Sequence, residues 1–322
     1  MKTFTISLRG KISEFGYRIN NIKNTNFNEI NAKVASNLEQ NIQIYNPRKN
    51  DLAVLSMIRD ENDVIDAWLE NLKELDAQLF VVDHKSRLST KKKLENFVRQ
   101  QGGIYLNMSL DGYFQLEAMN YLLELACANL DDQTLILPLD ADEFVGPRTV
   151  ESARRLISKE KPCIALRWRN SYPVIATSSD SSISLHESVI RASESISPVW
   201  KSATFVEYAR DRHLRWAQGN HLMHTRLGGW ISPQFSDDSE ILHIPIRSEA
   251  QLITKLETGI QEYIYRAKRD GNGFHWQEIR NELDSKDLQS SLEPLVASYG
   301  QKPSDSGTKP FFKEGHLDYF IE

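Results

Sequence analysis

Three acidic side chains fall within four positions at Asp140-Ala141-Asp142-Glu143. Clustered carboxylates repel one another and are costly to take out of water unless a cation balances them. Their hard oxygens suit Mg2+ or Mn2+. The cluster follows Leu135-Ile136-Leu137-Pro138-Leu139, an apolar run of buried-strand length, and precedes Phe144-Val145. A strand ending in carboxylates places them at the C-terminal edge of an open α/β sheet, where ligands bind. A metal or nucleotide role is the expectation, and an acidic turn capping the next helix is the plainer alternative.

Two earlier segments end in the same way. Leu52-Ala53-Val54-Leu55-Ser56-Met57-Ile58 is a short apolar run that stops at Arg59-Asp60-Glu61-Asn62. Val64, Ile65, Trp68, Leu69 and Leu72 then recur at helical spacing, with Asp60 or Asn62 as a candidate N-cap. Gln78-Leu79-Phe80-Val81-Val82 stops at Asp83-His84-Lys85-Ser86, and a helix through Leu94, Phe97 and Val98 follows, with Gly102-Gly103 as its stop signal. Ile104-Tyr105-Leu106 is a third short strand, and residues 114–130 carry Leu116, Met119, Leu122, Leu123 and Ala126 on one helical face. Strands alternating with helices imply a mostly parallel sheet. In such a sheet the three charged strand ends converge on one edge.

Past Pro147 the pattern changes. Residues 163–169 alternate as a half-exposed strand does, and 176–198 form a Ser-rich loop. Short strands are expected over 199–206, 217–224 and 240–246, the last two carrying His221, His224 and His243. A helix is expected over 249–268, with Leu252, Leu256 and Ile260 on its buried face, and further helical turns around Trp276 to Leu295. The domain organisation expected is an N-terminal arm or small β element over 1–50, an α/β domain over 51–248 and a C-terminal helical extension over 249–322. The alternating piece Thr3–Leu8 belongs to the first of these.

Of the 322 residues, 40% are hydrophobic, enough for one large core with appended elements. The net charge of −5 and pI of about 6.0 give no support to a nucleic-acid partner. Cys127 and Cys163 have no metal-ligand spacing and read as reduced core residues of a cytoplasmic protein. The start of the chain lacks the apolar stretch of a secretory signal, and no segment has the length of a membrane span. Lys91-Lys92-Lys93 reads as a solvated helix face, with at most a peripheral contact to an anionic membrane surface on the cytoplasmic side.

Several of these segments resemble family-2-like glycosyltransferases. Val81-Val82-Asp83-His84-Lys85-Ser86 is similar to an Asp-containing turn of that group, and Leu139-Asp140-Ala141-Asp142-Glu143-Phe144 to its DXD segment in the "DADEF" form. Trp200-Lys201-Ser202 and Leu242-His243-Ile244-Pro245-Ile246-Arg247 resemble further elements in the same order. Leu88 stands where the group carries an acidic residue, and no clear Glu-Asp pair follows the DXD segment.

The resemblance implies a GT-A fold, Rossmann-like in its first half, and a metal-dependent, inverting transfer of a sugar from a nucleotide-sugar, UDP before GDP, to a carbohydrate or glycan acceptor. It implies that Glu61 and Asp83 contact the nucleoside with Arg59 and Asp60 nearby. Asp140 and Asp142 hold Mn2+ or Mg2+ with His243 closing the site, and Lys201 neutralises the leaving group. His221 is the first candidate for the general base, followed by Asp237 and Asp238. The rival readings are a sugar-phosphate nucleotidyltransferase, for which the turn after the first strand lacks glycine, and an inactive nucleotide- or carbohydrate-binding module. A homo-oligomer is open. Trp200, Trp216 and Trp230 are core residues or sugar-stacking platforms.

Overall fold

The structure, a computed structural model, describes residues 25–45, 51–173, 189–192, 197, 199–245, 247, 251, 254 and 309–310. The strand-like piece Thr3–Leu8, most of the Ser-rich loop, the C-terminal turns around Trp276 and Leu295 and nearly all of the helix expected over 249–268 lie outside these residues.

The described chain begins with α1 (Thr25–Glu39) and β1 (Ile42–Tyr45). There follow β2 (Leu52–Ile58), α2 (Ile65–Glu74), β3 (Gln78–His84), α3 (Leu88–Gln101), β4 (Gly103–Met108), α4 (Gln115–Asn129) and β5 (Leu135–Pro138). Strands β4, β3, β2 and β5 pair in parallel in that order, and β1 adds antiparallel to the β4 edge. The expected parallel half of an α/β sheet is therefore present, flanked by helices.

Successive strand residues point to opposite faces of a sheet, and here both faces are covered. Val54, Leu79 and Val81 pack with Trp68 and Leu72 of α2 and with Leu94 and Phe97 of α3. Ala53, Leu55, Phe80 and Val82 pack with Met119 and Leu122 of α4 and with Val34 and Leu38 of α1. Burial on both faces explains why β2 and β3 read as near-continuous apolar runs rather than alternating ones. Helix α1 is rich in Asn and weak in intrinsic helical preference. Val34 and Leu38, 1% and 0% exposed, fix it, each contributing about 1.5–3 kcal/mol by burial.

After β5 come β6 (Glu143–Phe144), α5 (Pro147–Leu156), β7 (Cys163–Pro173), β8 (Val189–Ala192), β9 (Trp200–Phe205) and α6 (Val206–Asp211). A small antiparallel sheet of β10 (Leu214–Trp216), β11 (Met223–Thr225) and β12 (Trp230–Ile231) precedes β13 (Glu240–His243), and β14 (Lys309–Pro310) pairs with β8. The large sheet continues from β5 through β9, β7 and β13 to β6. The β9 pairings are antiparallel, while β7 and β13 run parallel.

Three local expectations are corrected. Residues 217–224 are not one strand: Gly219 and Asn220 have φ of 76° and 61°, left-handed values that break an extended chain into a 3-10 turn. The strand expected over 240–246 ends at His243, two residues before Pro245. Helix α2 has Val64 at its N-cap with no side-chain cap, so neither Asp60 nor Asn62 caps it.

Candidate functional site

The acidic segment owes its place to the sheet order. It leaves β5, passes the ends of β9, β7 and β13, and re-enters the sheet as β6 paired with β13. Asp140 and Glu143 thus meet β9, and Asp142 meets β13. Helix α2 holds the far end of the crossing: Trp68 Nε1 donates to the Glu143 carbonyl at 3.1 Å, and Asn71 bonds both the carbonyl and the N–H of Val145 at 3.0 and 3.3 Å.

Asp140 meets β9. Its Oδ2 accepts from Lys201 Nζ at 2.7 Å, and its Oδ1 from Gln115 Nε2, at the start of α4, at 3.3 Å. Lys201 is 1% exposed, and its ammonium also lies 3.4 Å from Glu143 Oε1 and 5.7 Å from the Trp168 ring centroid. Burial alone would push the lysine down, but the Asp140 and Glu143 carboxylates outweigh it and hold the ammonium above its usual range. Glu143 is fully buried, and that burial raises its carboxyl well above the usual value, with Lys201 opposing and the two aspartates reinforcing the shift. Its Oε2 accepts the Asp140 N–H at 2.8 Å. The acidic turn is therefore closed on itself.

Asp142 meets β13. Its carbonyl accepts the Ile244 N–H at 2.8 Å, which brings its carboxylate to 4.0 Å from His243 Nε2 and 3.6 Å from Arg247. His243 Nδ1 bonds Asn170 Oδ1 at 2.8 Å. In the neutral ring, donation to that oxygen leaves Nε2 as a lone pair turned toward Asp142. The imidazole stacks on Trp168 with centroids 4.0 Å apart, and Trp168 meets the edge of His221 at 5.6 Å. Arg247 donates to Asp63 at 2.7 and 3.1 Å and also pairs with Glu61. Burial opposes its charge, but Glu61, Asp63 and Asp142 together hold the guanidinium above its usual range.

The structure thus brings Glu61, Asp140, Asp142, Lys201 and His243 to one edge. Asp60 is beside it, with φ of 52°, accepting the Arg87 N–H at 2.5 Å and donating to Ser86 Oγ at 3.1 Å. Arg59 stands at the same edge, near enough to His84 to oppose its protonation after burial has already lowered it. Asp83, expected at the nucleoside, is fully buried. Its Oδ1 accepts the Ser86 N–H at 2.9 Å and its Oδ2 the Tyr105 hydroxyl at 2.5 Å, so it braces the turn from β3 into α3. Lys201, expected at a leaving group, lies beneath Asp140 and not in the open.

The three base candidates separate. Asp237 and Asp238 precede β13 and so lie at the end opposite His243, where they pair with Arg167 and Arg155. Asp237 is 99% exposed. His221 is at the site: its Nδ1 donates to the Trp200 carbonyl at 2.5 Å. Burial, with Lys201 adding to it, pushes its imidazole down to about 3, which makes it a weak base at neutral pH. Trp200 and Trp216 are buried, and Trp230 is partly exposed.

Sequence reasoning did not single out Asp63, Gln115, Asn170 or the ion pairing of Arg247. Arg247 had a signal, its place after His243 in the resembling segment. The other three had none, because their roles arise from pairings between distant segments. Among the described residues no group of three His, Cys, Asp or Glu side chains is assembled around one point, and no helix is long and apolar enough to cross a membrane.

No family model matches the chain, and no curated protein matches it. Among solved structures it is similar to S. aureus TarS (residues 1–349), at 12% identity and a TM-score of 0.41, over 83% of this chain and 76% of that one. S. aureus TarS in complex with UDP is similar at 11% identity and a TM-score of 0.36, over 76% and 72%. The mannosyltransferase PcManGT from Pyrobaculum calidifontis, in complex with GDP-Man and Mn2+, is similar at 14% identity and a TM-score of 0.39, over 85% of this chain and 83% of that chain.

Proposed function

We propose that this protein is a glycosyltransferase of the GT-A type, moving a sugar from a nucleotide-sugar, UDP before GDP, to a carbohydrate acceptor, with the transfer carried by the span 51–248. The observation that carries the reading is the charge at the sheet edge. Four carboxylates, Glu61, Asp63, Asp140 and Asp142, together with the carboxyl of Glu143, which burial raises, stand against three cations, Lys201, Arg247 and Arg59. An excess of negative charge would repel a diphosphate, and a divalent cation reverses that.

The residues fit such an ion. Asp142 and His243 turn a carboxylate oxygen and a ring nitrogen toward one another at 4.0 Å, a separation that two ligands of one cation can adopt. Asn170 fixes the ring as a second-sphere partner does for a metal-bound histidine. Two protein ligands suffice for Mg2+ or Mn2+ when phosphate oxygens and water supply the rest. When bound, the ion neutralises the charge that a departing nucleoside diphosphate acquires. Asp140, anchored by Lys201 and Gln115, would meet the sugar side of the donor. Glu61 and Arg59 line the nucleoside side. In an inverting transfer His221 is the one base candidate that stands at this edge, and as a neutral imidazole it chiefly shapes the site.

Slow hydrolysis of the donor tests the reading without knowledge of the acceptor. Radiolabelled UDP-glucose, UDP-N-acetylglucosamine and GDP-mannose are incubated with the protein and Mn2+. Release of free sugar from one of them, lost with chelator and in His243→Ala, is expected. No release from any donor together with no nucleotide binding would sink the reading. Binding without turnover on any donor or acceptor would favour an inactive binding module instead.

A further inference from the structure

The turn over 218–221 is tightly held. Ala217 N–H donates to the Leu222 carbonyl at 2.8 Å, Ser202 Oγ to the His221 carbonyl at 2.7 Å, and Asn220 N–H to the Ala217 carbonyl at 3.0 Å. Asn120 of α4 bonds both the N–H and the carbonyl of Trp216 at 2.9 and 3.0 Å, which fixes the strand leading into the turn. Gly219 is required: with φ of 76°, a side chain there would bring Cβ to 2.4 Å from His221 Nε2. Such a turn does not drift.

Within it, Asn220 is 1% exposed, and neither Oδ1 nor Nδ2 of its carboxamide has a hydrogen-bond partner among the described residues. A buried amide left open at both ends is costly, because it has given up water for nothing. The left-handed φ of 61° explains why an Asn can occupy the position, but a glycine would satisfy that backbone without stranding two polar atoms. The amide calls for a partner that the described residues do not supply.

The neighbours indicate the kind of partner. Gln218 Nε2 bonds Gln115 Oε1 at 3.3 Å, and Gln115 Nε2 bonds Asp140 Oδ1 at 3.3 Å, so a line of amides runs from the acidic edge into this turn. On the other side, His221 meets Trp168, which stacks on His243. A donor whose diphosphate sits at Asp142 and His243 would extend its sugar along Asp140 toward Asn220. A carboxamide offers one acceptor and one donor side by side, the complement of two adjacent ring hydroxyls.

We propose that the 218–221 turn is a saccharide subsite in which the Asn220 carboxamide hydrogen-bonds neighbouring hydroxyls of the donor sugar. This inference rests on the nucleotide-sugar reading and extends it to sugar selection. It assigns Asn220 to the sugar and not to the nucleotide.

The test is calorimetric titration, in Mn2+, of UDP, GDP, UDP-glucose, UDP-N-acetylglucosamine and GDP-mannose against wild type and Asn220→Gly. Glycine keeps the left-handed turn and removes the amide. The expected result is unchanged affinity for the bare nucleotide and a loss of about tenfold or more in the extra affinity that the sugar confers. The thermal midpoint should be unchanged or higher, since a stranded amide has been removed. Asn220→Asp, which keeps size and tolerance of the turn but loses the donor, should lose the same increment. An equal sugar increment in wild type and variants would overturn the subsite, as would a wild type that binds bare nucleotide and nucleotide-sugar alike. Failure of the wild type to bind any nucleotide would instead fell the underlying reading and the subsite with it.

Discussion

Lys201 Nζ lies 2.7 Å from Asp140 Oδ2, with the lysine side chain 1% exposed and the aspartate 29% exposed. The pair joins strand β9 to the acidic crossing, and the lysine is buried beneath it. Removing one partner of a buried pair strands the other, at a cost of about 3–5 kcal/mol. Lys201→Met is therefore expected to lower stability in a denaturant melt by roughly the lower half of that range, about 3 kcal/mol, because Asp140 retains some solvent. Lys201→Met combined with Asp140→Asn should recover part of the loss. Full additivity of the two substitutions would contradict a direct pairing.

Arg247 serves several acids at once, bonding Asp63 and Glu61 and lying 3.6 Å from Asp142. Its guanidinium is 3% exposed, whereas Asp63 is 42% and Glu61 24% exposed. The partners can rehydrate, so Arg247→Ala should cost about 2–3 kcal/mol, less than a fully buried pair. A double-mutant cycle with Asp63→Ala measures the share carried by that contact. A coupling below about 0.5 kcal/mol would show that the contact is not formed in solution.

Much of this edge was legible from the sequence. The apolar runs Leu52–Ile58, Gln78–Val82 and Leu135–Leu139 are buried strands of one parallel block, and the polar residues that follow them do lie together, because strand burial and strand direction are local consequences of composition. What failed to show was long-range pairing. Nothing near Asp142 announces that β13 will carry His243 to it, and nothing near Asp83 announces that the Tyr105 hydroxyl will bond it. The 217–224 segment misled for a different reason: Gly219 and Asn220 adopt left-handed backbone, which breaks the short strand expected there.

Asn71 ties α2 to the end of the acidic crossing through both polar atoms of the Val145 backbone. Asn71→Leu fills the same volume and leaves a buried N–H and a buried carbonyl unsatisfied. A loss of about 2–4 kcal/mol is expected in thermal or denaturant unfolding, from about 1–3 kcal/mol per stranded group with partial relaxation. Metal-dependent nucleotide binding should weaken as well, since residues 140–145 lose their anchor. A variant as stable as wild type would show that this contact is dispensable.

His84, His221 and His224 all have imidazoles lowered by burial, His221 to about 3 from its usual 6.5. Their neutral forms fold, while the unfolded chain takes up protons near pH 6.5. The unfolded state therefore binds more protons below that pH, and stability falls as pH falls, at up to about 1.4 kcal/mol per pH unit for each histidine. The histidines' contribution to the thermal midpoint should be flat above about pH 7 and decline from about pH 6.5 downward, opposed by Glu143, whose raised carboxyl takes up its proton first in the folded state. His221→Asn, whose amide can replace the Nδ1–H donation to Trp200, should make that decline shallower. An identical slope in wild type and variant would remove His221 from the account.

The most direct measurement is calorimetric binding of UDP and of GDP, with Mn2+ and with chelator, to wild type and to Asp142→Ala. Tight binding of one nucleotide that requires the metal and falls at least tenfold in the variant is the expected result, since Asp142 would hold the ion that accepts the diphosphate. Nucleotide binding indifferent to both metal and variant, or absent altogether, would contradict the assignment of Asp142 and His243 as the centre of a donor site.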